Sequence, residues 1–133
     1  MEIKALVFVL LLTFCEAQEL PDAPHNFLDH QNLLLFSVNA GLVTADAFTT
    51  DQIVNHHPNG QETNPLARPF VEHTSAARAA IFWASTYAGS IGLSYLFHRT
   101  GHHRLERFTQ YFFLGCETYS VTDNAITDSR PGP

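Results

Sequence analysis

Nineteen consecutive residues from Ala79 to Phe97, AAIFWASTYAGSIGLSYLF, carry no charge. A helix needs about 20 such residues to cross ~30 Å of hydrocarbon, so the run predicts a membrane span. Its surroundings add a packing expectation. Ala76, Ala80, Ala84, Ala88 and Gly92 recur every fourth residue, a small-residue ridge on which a neighbouring helix can lie closely. Mean hydropathy over the whole chain is only -0.05, low for a membrane protein. The polar leading segment, middle loop and tail dilute it, so local periodicity has to arbitrate.

Two segments flank this run. Residues 28–54 predict a first helix, in which Asn32, Asn39 and Asp46 stand seven apart. At that spacing they drift only ~20° per step and form one polar stripe, which in a membrane faces partner helices or water. Residues 105–126 predict a third helix, where Gln110, Glu117 and Asn124 repeat the same spacing. The middle helix covers 76–98. Between the first two runs a connector containing Pro58-Asn59-Gly60, Asn64-Pro65 and Arg68-Pro69 stops any helix from continuing, while Leu66, Phe70 and Val71 suit a partial fold back onto the bundle. Between the last two, Gly101 fits a helix C-cap.

The start of the chain has the layout of a secretory signal peptide. Residues 1–17 comprise a short charged start, an apolar run from Ala5 to Phe14 and Ala17 as the cleavage residue. Residues 18–27 form a polar, Pro-containing leading segment, residues 28–127 a three-helix membrane domain, and residues 128–133 a disordered tail. A formal charge of -6 without a basic cluster argues against nucleic acid as a partner. Once Cys15 leaves with the signal segment, Cys116 stands alone and is read as a small buried residue.

The polar residues in apolar surroundings are the ones that need a role. Asn39, Asp46, Glu117 and Asn124 form the candidate intramembrane polar cluster, and Glu117 falls near the middle of its helix. An ionised carboxylate there costs about 2.5 to 3.5 kcal/mol on insertion scales, so Glu117 must be protonated, paired or wet. Interhelical bonds to Asn39, Asp46, Thr86 or Ser90 are the expected satisfaction. Polar glue that fixes helix register is preferred over proton or ion handling. No catalytic residue is assigned. His98 and His102 have i, i+4 spacing with Glu106 a turn further on, which would supply two imidazoles and a carboxylate to a metal if the helix were continuous. Gly101 argues against continuity, so these histidines are read as solvated loop residues, with no metal and no cofactor assigned.

The segments DAFTT (Asp46–Thr50), QETNPLARPF (Gln61–Phe70) and FHRTGHHRLER (Phe97–Arg107) together resemble a group of small uncharacterised bacterial multi-pass membrane proteins. In that group an acid-Thr segment precedes a Glu-x-Asn-Pro loop and two further apolar helices. The resemblance covers about residues 39 to 126. It implies the architecture and no known activity.

The expectation is therefore an all-α, small membrane helical bundle of about three helices behind a signal peptide, in the bacterial inner membrane. Its partners are the lipid bilayer and itself or another membrane protein, and its role is helix packing or assembly, not catalysis. The competing readings are an ion- or proton-handling protein or metal-binding membrane enzyme using Glu117 and Asp46, and a soluble periplasmic bundle with Ala79–Phe97 as its buried central helix. Arg68, Arg78 and Arg130 on one side balance Arg99, Arg104 and Arg107 on the other, so the positive-inside rule does not orient the chain.

Overall fold

The first long helix is started by a carboxylate. Asp29 accepts a hydrogen bond from the Asn32 backbone N–H over 2.7 Å, and its carbonyl accepts from Leu33 N–H. Asp is among the best residues for satisfying the orphan donors of a helix N-terminus, so α1 begins at His30, two residues later than its apolar pattern suggests, and runs His30–His56. The computed structural model describes residues 24–56 and 60–128. The signal peptide, residues 18–23 of the leading segment, Pro58 and Asn59 of the expected turn, and the tail from 129 onward lie outside the described residues.

The connector ends in a single-turn helix, α2, Arg68–Val71. Ahead of it the Asn64 side chain accepts from Leu66 N–H at 3.0 Å, and Glu62 accepts from Asn64 N–H at 2.7 Å. The Arg68 guanidinium closes the loop on the Glu62 carbonyl at 2.7 and 2.9 Å. Part of the loop does fold back: Ala67 and Val71 are buried and the Phe70 ring stacks on Phe82 at 5.1 Å. Leu66, expected to join them, is exposed.

Ser75 then caps α3, Ala76–Arg99, accepting from Arg78 N–H. The helix stops at Gly101, whose φ of +77° is open to glycine and strained for other residues. His102 N–H bonds the Phe97 carbonyl and Gly101 N–H the His98 carbonyl, the paired closure of a Schellman motif. The last helix, α4, follows at once, His103–Asp128. Among the described residues the structure is all-helical, with three long helices and one short one.

The three long helices run up, down and up. α1 lies along α4, and α3 packs on α4 and more lightly on α1. α1 and α4 are parallel with one constant offset, because Gln110 pairs with Asn32 and Asn124 with Asp46, each 78 residues apart. The two seven-residue stripes therefore face each other. Asn32, Asn39 and Asp46 are at most 5% exposed, and Gln110 and Glu117 are at most 7% exposed.

The interior is thus polar for most of its length. Among the described residues the buried apolar ones are Val43 in the middle of α1 and Ile53, Val54, Ala67 and Val71 at the end where α1 meets the connector. Large apolar side chains point outward instead, with Phe48, Ile81, Leu96 and Phe108 each about half exposed or more. The helix long and apolar enough to cross a membrane by length and composition is α1, with mean hydropathy 1.4 over its best window. The helix carrying Ala79–Phe97 does not reach that level, because it is uncharged by virtue of Ala, Gly, Ser and Thr, not strongly apolar residues. Its small-residue ridge also lies elsewhere than expected. Ala76, Ala80, Ala84, Ala88 and Gly92 are all exposed, and nothing would meet a Cβ placed on Gly92. α3 meets the bundle through its serine face, where Ser90 and Ser94 are buried.

Candidate metal centre

Three chain segments meet at the end of the bundle where α1 starts and α3 turns into α4. The leading segment brings His25, the last turn of α3 brings His98, and the first turn of α4 brings His103 and Glu106. One ligating atom from each of these four lies within 4.8 Å of all the others. Glu106 is at the centre and has no solvent exposure. Its Oε2 stands 2.9 Å from His98 Nδ1, 3.2 Å from His103 Nδ1 and 3.2 Å from His25 Nε2. The three rings surround it, His98 edge to face with His25 and with His103 and the His25–His103 pair tilted, with centroids 4.7 to 5.0 Å apart.

These spacings suit a metal ion. Tetrahedral zinc with bonds of ~2.0–2.1 Å separates its ligand atoms by roughly 3.3–3.4 Å, close to the nitrogen-to-carboxylate distances here. His25 adds a second sign. Its Nε2 is buried and has no hydrogen-bond partner although Glu106 Oε2 is near, so a ring nitrogen is left over at the middle of the cluster.

The groups behind the ligands are ordered in the way metal sites require. The other nitrogen of His25, Nδ1, lies 2.9 Å from Asp29 Oδ2, the carboxylate–imidazole arrangement that fixes a ligand's tautomer and raises its basicity. Asp29 is in turn bound by Arg107 Nη2 at 2.8 Å. Glu106 Oε1 accepts from Asn32 Nδ2 at 2.6 Å, and Asn32 Oδ1 accepts from Gln110 Nε2 at 2.8 Å and from Arg107 Nη1. Asn32 also donates to the Phe27 carbonyl, which ties the leading segment to α1 beside the His25 ligand. Burial pulls both carboxyls up, but the bonds they accept outweigh it. The Asn32 backbone and Arg107 hold Asp29 below its ordinary value, and Asn32, His98, His103 and the His25 charge do the same for Glu106.

The sequence pattern named His98, His102 and Glu106, and the structure brings together only the first and last. His102 is exposed, with its Nδ1 on Thr100 Oγ1 at 3.0 Å. The Schellman turn ends one helix and restarts another, so i, i+4 spacing across it has no meaning. His103 and Glu106, i, i+3 on the new helix, share a face. That pair was recoverable once Gly101 was taken as a stop. His25 was not, because it lies 73 residues before His98 with no local pattern linking them.

The residues of the expected polar cluster are distributed along the α1/α4 seam, not gathered at one point. Asn124 donates to Asp46 Oδ1 at 2.9 Å and also reaches Thr49 and Thr50. Asn39 meets Ser90 Oγ on α3 at 3.4 Å. Glu117 falls on the same α1/α4 offset as Asn39, yet its Oε2 has no hydrogen-bond partner, so the expected bonds to Thr86, Ser90 or Asn39 do not form there. Cys116, expected to be buried, is exposed, because the neighbouring Glu117 takes the inward direction and adjacent helical positions diverge.

Comparison with known protein families, with curated proteins and with solved structures finds no match to this chain.

Proposed function

We propose that this chain is a small integral membrane protein that binds one first-row transition-metal ion through His25, His98, His103 and Glu106. The convergence of three imidazoles on one fully buried carboxylate oxygen carries the reading. Imidazole nitrogens with one carboxylate suit zinc or iron and do not suit calcium or magnesium, which take oxygen ligands. Four protein ligands complete a tetrahedral shell and leave no open position of the kind catalytic zinc keeps. Binding, and the clasping of the leading segment to the α3–α4 turn, is therefore the role favoured over catalysis.

The membrane part of the reading is supported by the distribution of side chains. Amides, hydroxyls and carboxyls fill the seam while Phe48, Ile81, Leu96 and Phe108 face out. In water that arrangement forfeits apolar burial, whereas in lipid it is the economical one, since ionisable groups in membranes face the bundle interior. Helices of 24 to 27 residues extend ~36–40 Å, enough for segments 33–54, 79–97 and 108–126 to cross. With an exported N-terminus in a bacterial inner membrane, the metal cluster sits on the exported side and the Glu62 loop on the other.

Elemental analysis of protein purified without a His tag tests the metal. About one equivalent of a transition metal is expected, lost in His103→Ala and Glu106→Gln and kept in His102→Ala. An empty wild-type site, with no uptake on adding zinc, sinks it. Alkaline carbonate extraction tests the membrane, and release of the protein with the soluble fraction would exclude the crossing.

A further inference from the structure

One helical turn beyond Glu106 on α4, the three long helices surround a cavity of about 10 Å³. It is lined by Asn39 of α1, Ser90 and Ser94 of α3 and Gln110 of α4, and closed by Leu35 and Phe36. The four polar residues are each at most 5% exposed. Three of them carry a buried oxygen with no hydrogen-bond partner: Asn39 Oδ1, Ser94 Oγ and Gln110 Oε1.

The surrounding hydrogen bonds fix which end of each amide is left over. A guanidinium can only donate, so the Asn32 atom that meets Arg107 is the oxygen, and the Gln110 atom 2.8 Å from that oxygen is the N–H end. Gln110 Oε1 remains. Ser90 Oγ gives its proton to the Tyr87 carbonyl at 2.7 Å, so it can only accept from Asn39, whose Nδ2 lies 3.4 Å away. Asn39 Oδ1 remains in the same way. Two acceptors and one hydroxyl thus share a space close to the smallest that holds a water molecule.

We infer that this cavity is a binding site for one ordered water molecule, which ties α3 to α1 and α4. The water donates one O–H to Asn39 Oδ1 and the other to Gln110 Oε1, and it accepts from the Ser94 hydroxyl. Three partners is the usual number for a buried water, and buried polar atoms without protein partners are ordinarily satisfied in this way. A sodium ion fits less well, because no carboxylate among the described residues lines the cavity and a buried charge needs one nearby. The water also accounts for the face that α3 turns inward: Ser94 brings it a hydroxyl, and Ala88 or Gly92 of the exposed ridge would bring none. Through Gln110 and Asn32 it becomes the inner end of a hydrogen-bonded chain that starts at Glu106.

The site needs neither the metal nor the membrane crossing, so its failure leaves both of those readings standing. In a crystal structure of the full chain that shows ordered water, one peak is expected at roughly 2.5–3.0 Å from Asn39 Oδ1, Gln110 Oε1 and Ser94 Oγ; a cavity without density overturns the inference. In solution the sign of a substitution decides. Ser94→Ala is compared with Ser85→Ala, at an exposed position of the same helix, which carries the same gain in helix propensity. With the water bound, Ser94→Ala loses a hydrogen bond, and its unfolding equilibrium constant is expected to rise roughly 2- to 10-fold relative to that control. In a dry cavity the Ser94 hydroxyl is an unpaired buried group whose removal costs nothing, so an unchanged or lower constant overturns the inference. Unfolding in sodium chloride and in choline chloride at equal ionic strength separates water from an ion. Equal stabilities are expected, and stabilisation by sodium alone assigns the cavity to the cation and overturns the water.

Discussion

Asn32 holds Glu106 from within the bundle: its amide N–H donates to Glu106 Oε1 over 2.6 Å, and its carbonyl oxygen receives Gln110 and Arg107. One amide thereby joins the carboxylate at the centre of the proposed metal site to the start of the polar seam. Replacing it with Leu takes the partner from four polar groups, Glu106, Gln110, Arg107 and the Phe27 carbonyl, and the two buried ones, Glu106 and Gln110, each cost about 1–3 kcal/mol. Asn32→Leu is expected to lower metal affinity by roughly 10- to 100-fold, the usual effect of losing a group that orients a ligand, and to lower the unfolding temperature of the metal-free protein. Isothermal titration with zinc and thermal unfolding in micelles measure the two effects.

Asp29 has two separable duties. It caps α1 through Oδ1 and supports His25 through Oδ2. Asn caps helices as well as Asp does, so Asp29→Asn is expected to leave helix content unchanged while weakening metal binding. Asp29→Ala loses the cap as well, at about 1 kcal/mol. Equal metal affinity in wild type and Asp29→Asn would refute the support assigned to this carboxylate.

Acid should act in two stages. Imidazole and carboxylate ligands must be deprotonated to bind a metal, so metal loss comes first as pH falls. The metal-free fold follows later. Asp29 and Glu106 are held below their ordinary values of 3.8 and 4.5, so the unfolded chain takes up these protons before the folded one does. The stability they contribute is complete above about pH 4.5 and drains away as pH drops through the lowered values. Melting curves of metal-free protein from neutral pH down to ~3 should show a plateau and then a fall; a fall beginning near neutrality would contradict the assignment.

Gly101 fixes the phase between His98 and His103. Its φ of +77° puts an alanine there under strain of roughly 1–2 kcal/mol, although a Cβ would meet nothing. Gly101→Ala is expected to destabilise the protein by about that much and to weaken metal binding further, because relaxing the strain moves the two histidines relative to one another. Chemical denaturation with and without zinc separates the components.

Much of the fold was legible in the residues, and the metal cluster was not. Stripes of Asn32, Asn39, Asp46 and Gln110, Glu117, Asn124 predicted two faces turned to partner helices or water because seven residues is nearly two helical turns; the two stripes meet, and all but the half-buried Asn124 are buried. The helix end at Gly101 was legible too, because a C-cap glycine is read from the local sequence. Side-chain partners across the bundle depend on azimuth and axial shift, which a single chain's periodicity does not contain. Hence Glu117 was paired on paper with hydroxyls it does not reach, the alanine ridge was turned inward when it faces out, and His25 was passed over. The choice between His102 and His103 depended on knowing that the chain leaves one helix and begins another between them.

The equal separation of Asn32 from Gln110 and of Asp46 from Asn124 makes α1 and α4 behave like a zip with teeth at both ends. Sliding either helix by one residue would disengage both pairs together and swing amides out of the seam. A slip of a whole heptad is the first that lets an amide meet an amide again, and it would leave Glu106 facing the wrong rung. Few intermediate alignments are therefore worth occupying, and the chain is steered to one of them before any ion arrives.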